Sequence, residues 1–398
     1  MKLDLMYYHQ NKDLPRDWCL EGCQLGNINL IVGKNASGKS KILKSIKIIA
    51  GLLSGEIDLK TGRDSREWTL FFDSDHDQDK KKVYFLKVNR GQVIEERFTV
   101  GEKNYLDRNE TGEGKVWAEQ LNQYIDFQTP IDEVAAVKRR DSIQHPFFEE
   151  IYDWANSLRY YEFGTDLGRN SLMMVNEKNI DVIKKNTDFK KGNQVIGIFK
   201  LGKEELGESF INAIKADMAQ IGYEISDIGT KTPSPFLSDE GDEILLQGQP
   251  QYLYVQERNL INETEQAFMS QGMFRALSLI IQINYSLLAG KPSCILIDDI
   301  GEGLDFERSS AMIQVLISKA QAGLVQLIMA TNDRFIMNGV PLEYWSVIER
   351  KPGFAKLHNI HNSKAVFEQF QFTGLNNFDF FSTQFYIEGF GEEECVSL

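Results

Sequence analysis

Residues 33–40 read Gly33-Lys34-Asn35-Ala36-Ser37-Gly38-Lys39-Ser40, directly after the apolar run Ile28-Asn29-Leu30-Ile31-Val32. A buried strand, a Gly-x-x-x-x-Gly-Lys-Ser turn and helix-forming sequence from Lys39 to Leu53 leave the chain little choice. It must build a sheet in which one strand end carries an anion-binding loop. Gly33 and Gly38 lack the Cβ that would hold the backbone off a phosphate, so successive N–H groups can wrap the anion. The helix N-terminus, with Lys41 in its first turn, adds partial positive charge at the same point. Lys39 can reach the β- and γ-phosphates and the Ser40 hydroxyl can ligate Mg2+. The spacing therefore implies a nucleoside triphosphate as ligand.

A second half of such a site stands far downstream. Four apolar residues, Cys294-Ile295-Leu296-Ile297, precede Asp298-Asp299, which describes a buried parallel strand with a carboxylate emerging at its C-terminal end. Asp298 is placed to hold the metal's water shell, and Asp299 to orient the attacking water. Upstream, Ser270-Gln271-Gly272 opens an apolar helix over 274–288. Ser270 is a good N-cap, which is the plain explanation; the sharper one aims this helix end at a γ-phosphate bound by a second subunit. Asp305 precedes another helix, to about residue 320, and the strand from 325 ends in Thr331-Asn332-Asp333.

Between the two halves the period changes. Residues 68–72, 83–87, 93–100 and 115–117 alternate as strands with polar turns between them, an antiparallel meander. Two turns imitate metal sites. Asp73-Ser74-Asp75-His76-Asp77 resembles an acidic pair but reads as a solvated hairpin tip. Residues 107–112 begin like a calcium loop, yet Ala118 stands where the bidentate Glu is needed. Helices are predicted over 147–158 and 203–221, with a strand at 159–163. Trp18 reads as a half-buried core aromatic, an adenine stack being the alternative. Lys41, Lys44 and Lys47 read as a solvated helix face, as do Lys138-Arg139-Arg140, Lys184-Lys185 and Lys190-Lys191.

Composition narrows the class. A net charge of −14 argues against broad nucleic-acid affinity. No apolar run approaches the roughly twenty residues that span a bilayer, and Met1-Lys2-Leu3-Asp4 alternates like a strand rather than a signal peptide. Cys19, Cys23, Cys294 and Cys395 complete no zinc pattern and read as reduced thiols of a cytoplasmic protein. Glu392-Glu393-Glu394 reads as a solvated tail.

Loop, Ser270-Gln271-Gly272, double acid, Gly303-Leu304-Asp305 and the Thr331-Asn332 strand end occur in the order of the ABC-type ATPases. The chain most resembles the RecF/SMC and OLD branch. That resemblance implies an α/β head with a P-loop parallel sheet core, an antiparallel β meander and an inserted, mainly helical lobe, without a long coiled coil. Its lobes would be 1–130, 131–275 and 276–398. It implies ATP and Mg2+, with nucleotide contacts from residues 33–41 and, across a homodimer or higher homo-oligomer, from Ser270, Gln271, Gly272 and Asp305. Ser40, Asp298 and Gln144 would attend the metal; Lys39, Asp299 and Asn332 would be catalytic.

Two positions depart from the branch, which usually has Glu at 299 and His at 332. Asp299 is shorter by a methylene and Asn332 cannot titrate, so slow hydrolysis is expected. The compact build is similar to the ATPase subunit of PARIS anti-phage systems, which works beside a separate Toprim nuclease. The implied role is an ATP-gated scaffold and sensor answering a phage-encoded trigger. A RecF-like DNA-repair ATPase is the alternative, and a transporter's nucleotide-binding domain fits least.

Overall fold

The computed structural model describes residues 1–72, 81–175, 183–184, 187–188, 191–232, 249–290, 293–321 and 325–390. The acidic turn at 73–77 and the tail at 392–394 lie outside the described residues, as do Lys185, Lys190 and Cys395. The chain forms two compact units, Met1–Leu158 with Pro341–Leu398, and Arg159–Val340.

In the first unit the strand Ile28–Val32 is buried at every position, as a strand covered on both faces must be. It runs parallel to Trp345–Lys351, with Leu30 opposite Trp345 and Val32 opposite Val347. Beyond lie Phe354–Asn359, Trp18–Gln24 and Leu3–Gln10, then the meander Ser65–Phe72, Lys82–Asn89, Gln92–Val100, Lys103–Arg108, Glu113–Ala118 and Gln123–Gln128. The sequence pattern does not announce Lys103–Arg108 or Gln123–Gln128. The first buries only Leu106 and Arg108 and the second only Phe127, too few for an alternation to show. Asp107 and Arg108 belong to a strand, and Asn109 Oδ1 accepts from the Thr111 N–H at 3.0 Å. The calcium-loop lookalike is a hairpin turn.

The helix Lys39–Leu53 buries Ile42, Leu43, Ile46, Ile49 and Leu53 and leaves Lys44 and Lys47 exposed. Phe147–Ser157 packs beside it, with Trp154 edge-on to Phe72 at 5.0 Å between centroids. Under the meander lies a buried ion pair, Glu96–Arg108 at 3.4 Å, both side chains inaccessible. Glu96 accepts from Tyr84 Oη at 2.9 Å and from the Ala135 and Ala136 N–H groups at 2.8 Å each, which holds the start of the short helix Ala135–Lys138. Burial pushes its carboxyl up, while the two N–H groups and Arg108 pull it down. Arg108 in turn donates to the carbonyls of Pro130, at 2.8 Å, and Glu133, at 2.5 Å.

In the second unit Arg159–Glu162, Ser293–Asp298 and Val325–Thr331 form a parallel sheet, with Glu162 opposite Asp298 and Ile297 opposite Met329. The long helix begins at Val195 rather than 203 and runs to Gln220, broken at Gly207, where φ is 59°. It packs on Gln271–Leu288, where Asn284 Nδ2 donates to Asp217 at 2.6 Å. Lys319, from the helix Phe306–Gln321, meets the same carboxylate at 2.8 Å. The stretch between also contributes Met173–Val175, Ile225–Lys231, Gln249–Glu257 and Thr264–Glu265 as a small antiparallel sheet. No helix of the described residues is long and apolar enough to cross a membrane.

Candidate nucleotide site

In the first unit the loop after Ile28–Val32 is shaped by its own lysine. Lys39 Nζ donates to the carbonyls of Gly33, at 2.8 Å, and Lys34, at 3.2 Å, and the side chain is 6% exposed. This sets the ammonium against the start of the loop. A Cβ on Gly33 would lie 2.2 Å from Ile348 Cγ2 and 2.6 Å from Ser37 Oγ. Ala36 and Gly38 are left-handed, φ 59° and 113°, and Gly38 starts the helix Lys39–Leu53 with no side-chain cap. Those first N–H groups therefore suit an anion. Ser37 Oγ is buried and, among the described residues, has no hydrogen-bond partner. A phosphate oxygen is the acceptor such a hydroxyl lacks, so the loop fits a nucleotide.

Beside the loop opens a cleft of about 270 Å³, whose walls include Trp18, Lys41 and Arg350. Trp18 is 5% exposed and lies under Gly38, with Lys41 Nζ 4.3 Å above its ring. It is thus buried rather than half-buried, on the wall of the cleft. Gln144 sits in the turn before Phe147–Ser157. Its N–H donates to Asp141 Oδ1 at 2.8 Å, its carbonyl accepts from the Glu119 N–H at 2.9 Å, and its buried Oε1 has no partner among the described residues.

In the second unit Asp298 ends its strand, 4% exposed. The Tyr160 hydroxyl lies between Glu162 Oε1, at 3.2 Å, and Asp298 Oδ2, at 3.3 Å. Burial, and then these two carboxylates, push the phenol far up, so it stays a donor. Asp299 is left-handed, φ 54°, an uncommon conformation for a residue with a Cβ. It turns the chain so that the Ile300 N–H donates to Ala330 O at 3.1 Å and Ile300 O accepts from Thr331 Oγ1 at 3.1 Å. Asp333 caps Arg334–Gly339 through the Phe335 and Ile336 N–H groups, and Asn332 is exposed between these two anchors. Among the described residues no three His, Cys, Asp or Glu side chains gather as a metal cage. A Mg2+ here would rely on phosphate oxygens and water as well as protein.

Ser270 caps the helix Gln271–Leu288, accepting from the Met273 N–H at 3.2 Å. Two residues on, Gly272 abuts the loop before Phe306–Gln321: a Cβ there would lie 2.5 Å from Gly303 O and 3.0 Å from Leu304 Cδ2. Arg275, 6% exposed, locks the arrangement by donating to the carbonyls of Glu302, at 2.8 Å, Gly164, at 2.6 Å, and Thr165, at 2.8 Å. Asp305 accepts from the Arg308 N–H at 2.9 Å and from its guanidinium, and these contacts hold its carboxyl below the usual carboxylate range. Ser270, Gly272 and the 303–305 loop are thus one body. Arg275 is absent from the residues that motif spacing singles out, and its one mark in the sequence is a charge inside an apolar helix. Gly272→Ala should cost about 1–3 kcal/mol through overpacking against backbone, measured by urea denaturation; an unchanged midpoint would mean that the contact yields freely.

A family model described as "AAA domain, putative AbiEii toxin, Type IV TA system" matches residues 28–338, well over half of the chain. The chain belongs to that family. This AAA-domain chain is also similar to a crystal structure of the SmcHead bound to the C-winged helix domain of ScpA: TM-score 0.51, 12% identity, covering 90% of this chain and 97% of that one. The SMC head domain from Thermotoga maritima gives TM-score 0.42 and 14% identity, covering 90% and 98%. A Smc head with an extended coiled coil, bound to the C-terminal domain of ScpA derived from Pyrococcus furiosus, gives TM-score 0.48 and 12% identity, covering 93% and 100%. No curated protein matches. The fold is that of an ABC-type ATPase head of the SMC class, and its family is one of ATPases.

Proposed function

We propose that this chain is a slowly hydrolysing ATPase that works as a two-state dimer and controls a separate Toprim-type nuclease in anti-phage defence. The observation that carries the reading is the locked body of Ser270, Gly272 and the 303–305 loop. A helix end held so firmly, with its first turn exposed at Ser270 and Gln271, suits a γ-phosphate brought by a second chain. Residues 33–41 would hold one chain's ATP, and Ser270, Gln271, Gly272 and Asp305 would close on it from the other. Lobes at 1–130, 131–275 and 276–398 would divide that labour, and a phage-encoded component would set the trigger.

Each residue then has a physical task. Residues 33–38 bind and orient the phosphates through backbone N–H groups. Lys39 stabilises charge on the β- and γ-phosphates. When bound, Mg2+ neutralises phosphate charge, with Ser40, Asp298 and Gln144 as its attendants. Asp299 orients the attacking water, and Asn332 hydrogen-bonds the γ-phosphate without taking a proton. The short Asp299 side chain on a left-handed backbone supports slow turnover, because positioning dominates phosphoryl transfer.

The defence role leans on the likeness to PARIS ATPase subunits and on a family described by a toxin system. The basic stretches favour it over DNA clamping: Lys138 pairs with Glu133 at 2.9 Å, Arg140 with Glu149 at 3.5 Å and Lys184 with Glu205 at 2.9 Å. Mixing Lys39→Ala chains with Gly272→Arg chains tests the shared site. One composite site of the mixed dimer then carries both lesions and the other neither, so ATPase activity should partly return. Two variants that exchange subunits yet never complement would place each site within one chain. Purified chain with ATP and Mg2+ should leave DNA and RNA intact; cleavage by the chain alone would remove the need for a partner nuclease.

A further inference from the structure

Two cations stand at the rim of the loop cleft that the Gly-x-x-x-x-Gly-Lys-Ser motif does not use. Lys41 lies in the first turn of the helix Lys39–Leu53. Arg350 lies near the end of Trp345–Lys351, the strand paired with the one that feeds the loop. Its guanidinium donates to the carbonyl of Ala36, the left-handed residue at the loop's crest. Burial, and then the charge of Arg350, hold the Lys41 ammonium below its ordinary value. The carboxylate whose charge reaches Lys41, Asp64, is held by Arg66 at 3.2 Å and Gln10 at 2.9 Å, and Glu349, beside Arg350 in the strand, is engaged by His358 at 2.8 Å and Lys351 at 3.0 Å. Two like charges so placed, on a cleft of about 270 Å³, gain when an anion enters between them.

The position of the pair says which part of the anion. Lys39 is folded onto Gly33 and Lys34, at the start of the loop, and a lysine there serves the β- and γ-phosphates. Arg350 meets the loop at Ala36 and lines the same cleft as Lys41, which lies one residue past the motif in the helix. We propose that Arg350, with Lys41 beside it, binds the α-phosphate of the nucleotide, a group that ATP and ADP share. This rests on the nucleotide reading of the loop.

Calorimetric titration of the full chain with ATP and with ADP tests it. Arg350→Ala should weaken both nucleotides by the same factor, about tenfold or more, the worth of one charge-assisted hydrogen bond. Arg350→Lys should recover part of the loss. Arg350→Gln, which can still donate to the Ala36 carbonyl but carries no charge, should not. Unchanged affinities, a loss confined to ATP, or full recovery with Gln would each overturn the assignment; the last would reduce Arg350 to a brace for the loop. Lys39→Ala, titrated alongside, separates the two levels. If it binds ATP as the parent does, the loop is not the nucleotide site and both readings fall. If it loses ATP while Arg350→Ala keeps both nucleotides, only Arg350 is misassigned.

Discussion

Lys39→Ala is expected to lower ATP affinity on the order of a hundredfold, since it removes a cation whose charge-assisted contacts each contribute about 1.5–3 kcal/mol. The size follows from how the side chain is held. Two backbone carbonyls, Gly33 and Lys34, already fix the ammonium at 2.8 and 3.2 Å, so little rotamer entropy remains to be lost on binding. The same two carbonyls lose their donor in the variant, and the loop relaxes as well as losing charge. ATP hydrolysis should fall with binding. Fluorescent-nucleotide titration checks the result, and near-parental affinity would remove the loop from the mechanism.

Glu96→Ala is expected to be the most damaging change away from that loop. Removing one member of a buried ion pair leaves the other uncompensated and costs about 3–5 kcal/mol. Here the loss reaches further, because Glu96 also takes the Tyr84 hydroxyl and two helix-start N–H groups. Arg108 would stay inaccessible beside the vacated space. In a unit of this size the melting temperature should drop by roughly 10 °C, read by differential scanning calorimetry. A drop of only a degree or two would show that water replaces the carboxylate without strain.

Sequence pattern reached different distances in different parts of the chain. The run from Ile28 through Ser40 to Leu53 was legible almost residue by residue, because a buried strand, two glycines and a 3.6-residue apolar period each leave a separate mark. Asp298 was legible for the same reason, as a carboxylate ending an apolar run. The strands Ile225–Lys231 and Gln249–Glu257 were not. They pair mostly with each other in a small sheet, and Asp227, Gln251 and Gln256 interrupt any apolar alternation. The early start of the helix at Val195 was hidden by Gly197 and Gly202, which read as breaks although both are buried inside the helix. Contacts such as Arg275 to the Gly164 and Thr165 carbonyls, or Ile348 against Gly33, join residues more than a hundred positions apart. No local window contains them.

The contact between Gly33 and Ile348 has a consequence for the order of events during synthesis. The strand that feeds the phosphate loop is paired on one side with Trp345–Lys351, and the loop's first glycine is walled by that strand's Ile348. Residues 33–40 leave the ribosome some three hundred residues before their wall does. A nascent chain therefore carries the complete motif long before it has the pocket, with an unpaired strand edge exposed in the meantime. Nucleotide cannot assist the early stages of folding. It can only stabilise a chain whose distant hairpin has already come home, which ties ATP binding to the placement of residues 345–348.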